Sequence, residues 1–191
     1  MIKLKKKLLS TVVISAVLAS LLAVSLAFAK FDMGEHGGGK YKTQAGQSNT
    51  AHLYLFEKYP DSWNIVKRGA WGKMRFDFSE PVFGFVFNGH KLQPGENYTL
   101  IYYPDKTGNP WPRTDIIFLG NGTANKGGNV HIADLIELNT DLPIAADIND
   151  GAKIWLVLST DLDFEANTMF GWNPTKYLFE HNLITCDDTD V

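Results

Sequence analysis

Hydrophobic and polar residues alternate along much of this chain from residue 52 onward, which is the pattern of half-buried β-strands. Apolar Met74 and Phe76, for example, alternate with charged Lys73 and Arg75. Alternating or continuously apolar runs predict strands over residues 72–79, 82–88, 97–103, 116–119, 130–138 and 153–160. The last run is apolar on both faces, so we expect it to be a central strand.

Turn residues separate these runs. Pro94-Gly95 supplies a φ near −65° followed by a positive φ, as a type II turn requires, and we also expect turns at Asn88-Gly89, Asn121-Gly122 and Gly127-Gly128. No run has a convincing helical period; residues 175–182 come nearest, with at most two turns. The predicted fold is therefore all-β, an antiparallel β-sandwich (Ig-like or jelly-roll-like) of about seven to eight strands rather than a small barrel.

Two longer segments interrupt the strand pattern. Residues 104–114 hold three prolines around Trp111, and residues 161–175 hold acidic positions followed by Phe170-Gly171-Trp172-Asn173-Pro174. Prolines cannot donate to a strand ladder. We expect both segments to be surface loops that are long enough to carry function.

The first 29 residues have a different pattern. Lys3, Lys5, Lys6 and Lys7 precede an apolar run over residues 8–27, and Ala27-Phe28-Ala29 follows. This order is typical of an export signal, so we expect residues 1–29 to be a signal peptide and the protein to be secreted or displayed at the cell surface. The run also approaches the ~20 residues that span a bilayer, which leaves an uncleaved N-terminal anchor as the alternative.

Residues 30–51 are rich in glycine and lack hydrophobic periodicity, so we interpret them as a flexible linker. The β-sandwich domain is then residues 52–191. Cys186 is the single cysteine, so the chain has no internal disulfide. Two interpretations of Cys186 stay open: it is buried as a small hydrophobic residue, or it pairs two chains.

The charge of the exported chain narrows the class of partner. Loss of residues 1–29 leaves 14 of the 18 basic residues against all 21 acidic residues, a net charge of −7. Nucleic-acid binding depends on neutralising phosphates with Lys and Arg, so we expect no nucleic-acid partner. Membrane contact is expected only through the N-terminal segment, if it is uncleaved. A glycan or another surface protein is compatible with this charge.

Several stretches between residues 53 and 190 resemble the exported β-sandwich domains of uncharacterised prokaryotic cell-surface proteins. The likeness rests on Glu57-Lys58, Trp63, Gly69-Ala70-Trp71-Gly72, Phe87-Asn88-Gly89-His90, Tyr98-Thr99-Leu100-Ile101-Tyr102-Tyr103, residues 120–124, residues 153–159 and Gly171-Trp172-Asn173-Pro174. The resemblance implies a β-sandwich outside the cytoplasm. It implies no catalytic residues, because no activity is known for that group.

Catalytic motifs are missing from the sequence. There is no G-x-S-x-G, the five histidines are scattered, and Cys186 is not followed by the His and Met of a blue-copper site. We therefore expect no enzyme activity. Asp161, Asp163 and Glu165 alternate after the last long strand, and hard oxygen ligands of this kind suit Ca²⁺. They are the candidate calcium ligands, with a solvated strand end as the alternative.

Aromatic residues in loops are the candidate ligand-binding groups. Trp111 is flanked by prolines, Trp63 follows Pro60-Asp61, and Trp172 precedes Asn173-Pro174. Exposed tryptophans stack on the apolar faces of sugars, although loop tryptophans also plug the ends of sandwiches. Asn97 and Asn121 each begin an N-x-[ST] motif and are candidate glycosylation sites.

The sequence as a whole predicts a non-catalytic binding or adhesion module. Its partner would be a glycan or another surface protein, contacted through residues 104–114 and 161–175. The alternative is a structural subunit of a surface layer or filament, in which the N-terminal segment adds a strand to a neighbouring sheet.

Overall fold

A computed structural model of the chain describes residues 50–77, 82–108, 110–138, 142–149 and 151–184. The expected export signal, the expected linker up to residue 49, and Cys186 lie outside the described residues. Within the described ranges, no helix is long and apolar enough to cross a membrane.

The described chain is all-β. It contains ten strands and two short 3₁₀ helices, Ser159–Asp161 and Pro174–Lys176. In chain order the strands are β1 (Thr50–Phe56), β2 (Trp71–Asp77), β3 (Val82–His90), β4 (Asn97–Tyr102), β5 (Ile117–Thr123), β6 (Val130–Glu137), β7 (Ile154–Leu158), β8 (Leu162–Asp163), β9 (Thr168–Met169) and β10 (Phe179–Glu180). Three of the ten have only two residues, which is why the sequence pattern suggested fewer.

Two antiparallel sheets enclose one hydrophobic core, as a β-sandwich requires. The larger sheet has the order β10-β1-β2-β3-β6, the smaller has the order β5-β4-β7, and β8 and β9 form a separate hairpin. The predicted antiparallel β-sandwich is thereby confirmed.

The larger sheet follows the alternation seen in the sequence. Met74 and Phe76 of β2 are buried, and Phe83, Phe85 and Phe87 of β3 are buried at every second position. These rings pack along one face, with centroids 5.7 Å apart between Phe83 and Phe85. The period of two therefore sets which side chains form the core.

The smaller sheet departs from the expectation in one respect. All five residues of β7 are buried, as predicted, but β7 lies at the edge of its sheet instead of the centre. Backbone bonds cover that edge, from Leu156 N to Leu178 O at 2.9 Å and from Ala152 N to Ile184 O at 2.7 Å. A covered edge explains how a fully apolar strand occupies this place.

Two predicted turns are wrong. Asn88-Gly89 lies inside β3 and Asn121-Gly122 lies inside β5. The glycines make room for Val130: a Cβ on Gly89 would lie 2.8 Å from Val130 Cγ1, and a Cβ on Gly122 would lie 2.9 Å from Val130 Cγ2. These glycines serve close packing of β6 and not a positive φ.

Other boundaries match more closely. The turn at Pro94-Gly95 is confirmed, with a φ of 83° at Gly95, and β1 begins at Thr50, two residues before the expected start of the domain. The described part of segment 104–114 contains no strand, as predicted. Segment 161–175, in contrast, contains the β8–β9 hairpin and the start of a 3₁₀ helix.

Candidate functional site

Four tryptophans meet in one continuous set of ring contacts, which we call the tryptophan cluster: Trp63, Trp111, Trp155 and Trp172, together with Phe179. Phe179 lies 4.6 Å from Trp63, 5.2 Å from Trp155 and 6.1 Å from Trp172 between ring centroids. Trp111 meets Trp172 edge-on at 5.9 Å. The structure thus brings together the three loop tryptophans that the sequence singled out separately.

The outer members of the cluster are open to solvent. Trp63 is 40% exposed, Trp111 is 48% exposed and Trp172 is 45% exposed, whereas Trp155 and Phe179 beneath them are buried. Buried rings support the exposed ones and restrict their motion. A partly exposed aromatic surface with a packed base can contact a ligand at a low cost in conformational entropy.

The loop between β1 and β2 positions Trp63. Tyr59 N donates to Asn64 O at 2.9 Å, and Trp63 N donates to Tyr59 O at 2.8 Å. Trp63 has a φ of 60°, a left-handed conformation that is strained for a bulky residue. Strain of this kind persists where the surroundings enforce it and is frequent at ligand-binding sites.

Trp172 is positioned by the carboxylate of Asp161, which is only 7% exposed. Asn173 Nδ2 donates to both oxygens of that carboxylate, at 3.0 and 2.9 Å, and Tyr177 donates its hydroxyl hydrogen to Oδ2. A Cβ on Gly171 would lie 2.2 Å from Asp161 Oδ1, so only glycine allows this approach. Burial, followed by the hydrogen bond to Asp161, raises the pKa of Tyr177.

Trp111 lies on the segment 104–114, which Arg113 fixes to the rest of the domain. Arg113 Nε donates to the Tyr103 hydroxyl at 2.8 Å, and Met169 N donates to Arg113 O at 2.9 Å. Tyr103 in turn stacks on Trp155, with centroids 4.0 Å apart. The loop is therefore connected to the buried base of the tryptophan cluster.

Charged residues border the tryptophan cluster; we call this set the charged border: Lys58, Asp105, Arg113, Lys153 and Glu180. Asp105 forms ion pairs with Lys153 and, at 3.4 Å, with Arg113. Burial alone would raise the pKa of Asp105, but hydrogen bonds from Lys153 and Asn149 and the two cationic charges lower it overall.

Glu180 and Lys58 are almost completely buried, at 9% exposure each. Glu180 accepts a hydrogen bond from Trp155 Nε1. Burial raises the pKa of Glu180 although the charge of Lys58 opposes this, and burial lowers the pKa of Lys58 although the charge of Glu180 opposes this. Burial thus disfavours the ionised form of both side chains. Buried ionisable groups with shifted pKa values are more common at functional sites than elsewhere.

Two of the three candidate calcium ligands, Asp161 and Asp163, have other partners in the structure. Asp161 holds Asn173 and Tyr177, as described above, and Asp163 Oδ1 accepts hydrogen bonds from the backbone N–H groups of Glu165 and Ala166 at 3.0 Å each. Among residues 50–184, within the described ranges, no group of three or more His, Cys, Asp or Glu is placed to hold a metal ion. Calcium binding at these residues stays a prediction.

The two candidate glycosylation sites lie side by side on the smaller sheet. Asn97 of β4 pairs with Thr123 of β5, and Thr99 pairs with Asn121. Thr123 Oγ1 donates to Asn97 Oδ1 at 3.4 Å, and both asparagines are exposed. Asn121 is accessible as expected, although it lies in a strand and not in a turn. Its modification stays a prediction.

Sequence reasoning missed the base and the charged border of the site. The sequence places Trp155 only within an apolar strand, and Lys58 resembles other polar residues at strand ends. Phe179 and Glu180 lie in β10, a two-residue strand without a detectable alternation. The one available signal was that Lys58 and Glu180 are charged residues close to apolar runs.

No model of a known protein family matches the chain, and no curated protein is detectably similar to it. The resemblance to exported prokaryotic β-sandwich domains stays an expectation.

Proposed function

We propose that this protein is a non-catalytic, exported binding module that holds a carbohydrate on the tryptophan cluster. The observation that carries the proposal is that three half-exposed tryptophans, from three different loops, are linked by ring contacts to the same buried aromatic base. Flat apolar rings complement the C–H faces of pyranose sugars, and nearby charged groups complement their hydroxyls. Adhesion to a glycan-coated surface would follow from this activity.

Location outside the cytoplasmic membrane is part of the same proposal. Its support is the cationic, apolar and small-residue order of residues 1–29. A module that recognises surface or environmental polysaccharides needs this location. Transport by secretion and retention by an uncleaved anchor both satisfy it.

Binding to a panel of immobilised polysaccharides tests the proposal. We expect the double variant Trp111→Ala/Trp172→Ala to lose at least about tenfold in affinity for whichever polysaccharide the natural chain binds, since aromatic anchors dominate such interfaces. Phe164→Ala is the matched control. Phe164 is 46% exposed, packs on Phe118 and has no ring contact with the tryptophan cluster.

Unchanged polysaccharide binding by the double variant would refute the carbohydrate proposal. Capture of a purified surface protein by the natural chain, lost in the same double variant, would instead identify a protein as the partner of the tryptophan cluster. Assembly of the purified chain into filaments that persist in the double variant would favour the structural alternative.

A further inference from the structure

The side chain of Lys58 is distinctive among the lysines of the described chain. Lys58 lies two residues after the end of β1, at the base of the loop that carries Trp63. Its backbone forms an isolated β-bridge with Ile65. The residue is 9% exposed, and its Nζ lies 5.4 Å from the centroid of the Trp63 ring. The ammonium group is therefore at the tryptophan cluster itself.

The ammonium group of Lys58 has no hydrogen-bond acceptor among the described residues. No hydrogen bond or ion pair joins it to a described residue, while Lys153, Arg113 and Lys176 all have carboxylate partners. Within the described ranges, no fully buried side-chain nitrogen or oxygen lacks a partner. The Nζ atom must therefore reach solvent, with up to three N–H donors available.

The charged border contains one more cation than carboxylates, and both of its carboxylates already have partners. The carboxylate of Asp105 is already shared between Lys153 and Arg113. Glu180 is the other carboxylate of the charged border, and its Oε2 accepts from Trp155 Nε1. Three cations thus face two carboxylates in a chain whose net charge is −3. A positive spot in a negative protein favours an anionic ligand there.

We propose that the tryptophan cluster binds an acidic polysaccharide, with a uronic acid carboxylate received by Lys58 Nζ. This inference rests on the proposed carbohydrate binding and names the class of sugar. A uronic acid carries its carboxylate directly on the pyranose ring. A ring packed against the tryptophans therefore presents the charge beside its apolar face, which is the arrangement that Lys58 and Trp63 complement.

The energetics of Lys58 are consistent with this assignment. Burial lowers the pKa of its ammonium group, the charge of Glu180 opposes that shift, and the charge of Lys153 adds to it. A ligand carboxylate would compensate the desolvated charge, and hydrogen bonds between ionised partners are stronger than neutral ones. The unpaired cation thus costs stability in the free protein and contributes affinity in the complex.

Polygalacturonate and its fully methyl-esterified form separate this inference from the proposed function, because they share a backbone and differ in charge. With the full chain in physiological salt, we expect calorimetry to show about tenfold tighter binding of the acidic polymer than of the ester, the worth of one charge-assisted hydrogen bond. We expect Lys58→Met to remove this preference, so that the variant binds the acidic polymer no more tightly than it binds the ester. Lys73→Met is the matched control, because Lys73 Nζ also lies over an aromatic ring, 5.6 Å from the centroid of Tyr54.

Each possible result of these binding measurements supports or overturns the assignment of a uronic acid to Lys58. Equal affinity for the acidic polymer and the ester would overturn it while leaving carbohydrate binding intact, and the comparison needs no variant to fold. A preference that Lys73→Met removes and Lys58→Met retains would also overturn it. If neither polymer binds, the uronic acid assignment is wrong, and the proposed function is then judged on the neutral polysaccharides of the panel. Equal binding of polyglutamate would show a general attraction for polyanions and would equally contradict it.

Discussion

Aromatic residues serve two regions of this protein in opposite ways. In β2 and β3, phenylalanines such as Phe85 and Phe87 are buried at alternate positions and fill the core between the sheets. In the tryptophan cluster, rings from separate loops rest on a buried base and remain half exposed. The core rings pack against one another, whereas the cluster lies beside five charged residues.

The two regions are therefore stabilised by different means. Strand alternation alone orients the core phenylalanines. The cluster needs particular contacts: Asp161 holds the segment of Trp172, a left-handed φ orients Trp63, and Arg113 fixes the segment of Trp111. Perturbing the core should therefore change stability first, and perturbing the cluster should change binding first.

Phe87→Ala should have the largest effect on stability. Phe87 is fully buried, and its ring fills the space above Gly72, where a Cβ would lie 2.2 Å from Phe87 Cζ. Removal of a buried phenyl ring costs about 3–5 kcal/mol. Urea unfolding should show this loss, while the folded fraction keeps its affinity for ligand. A loss below about 1 kcal/mol would contradict the account of the core.

Asp161→Ala should affect both regions. The variant leaves the Tyr177 hydroxyl and the Asn173 amide without their buried acceptor, which costs about 1–3 kcal/mol. It also frees the segment that carries Trp172, so ligand affinity should fall even where the protein remains folded. Asp163→Ala is the control, because that carboxylate is exposed and accepts hydrogen bonds from two backbone N–H groups. Equal effects of the two variants would show that Asp161 does not anchor the cluster.

Trp63→Ala should change affinity more than stability. The ring contacts Phe179 and is 40% exposed, so its removal should cost about tenfold in ligand affinity and little in the free energy of unfolding. Trp63→Phe keeps an aromatic ring at this position and should retain part of the affinity. Chemical denaturation and ligand titration of both variants check this. The prediction fails if stability falls while affinity is retained.

Glu180→Gln should have the smallest effect, and its dependence on pH identifies the cause. The pKa of Glu180 in the folded protein is raised above its ordinary value of 4.5, so the folded state favours the neutral acid. The natural chain therefore carries a cost at pH 7 that disappears as the pH falls through the raised pKa and below 4.5. Gln keeps an oxygen that can accept from Trp155 Nε1.

We accordingly expect Glu180→Gln to be slightly more stable than the natural chain at pH 7 and to match it near pH 4. Free energies of unfolding measured across this range check the sign. A variant that is less stable at pH 7 and approaches the natural chain only at low pH would show that ionised Glu180 stabilises the fold.

The strands in which apolar and polar residues alternate could be predicted from the sequence. Alternation located β2, β3, β4 and β6 to within a few residues. The turns expected at Asn88-Gly89 and Asn121-Gly122 were wrong because both glycines are required by the close approach of Val130, which is distant in sequence. The three loop tryptophans could be singled out by their setting, but their convergence depends on the pairing of β10 with β1. That pairing is long-range and leaves no periodic trace in two residues.

We propose that Trp63, Trp111 and Trp172 form one ligand-binding surface. Titrating ¹⁵N-tryptophan-labelled protein with polysaccharide fragments tests it directly, because each indole N–H gives its own NMR signal. We predict that these three signals shift together with one dissociation constant, while Trp71, which packs on His90 outside the cluster, stays unchanged. Shifts at Trp71 alone, or different dissociation constants among the three loop tryptophans, would contradict the claim.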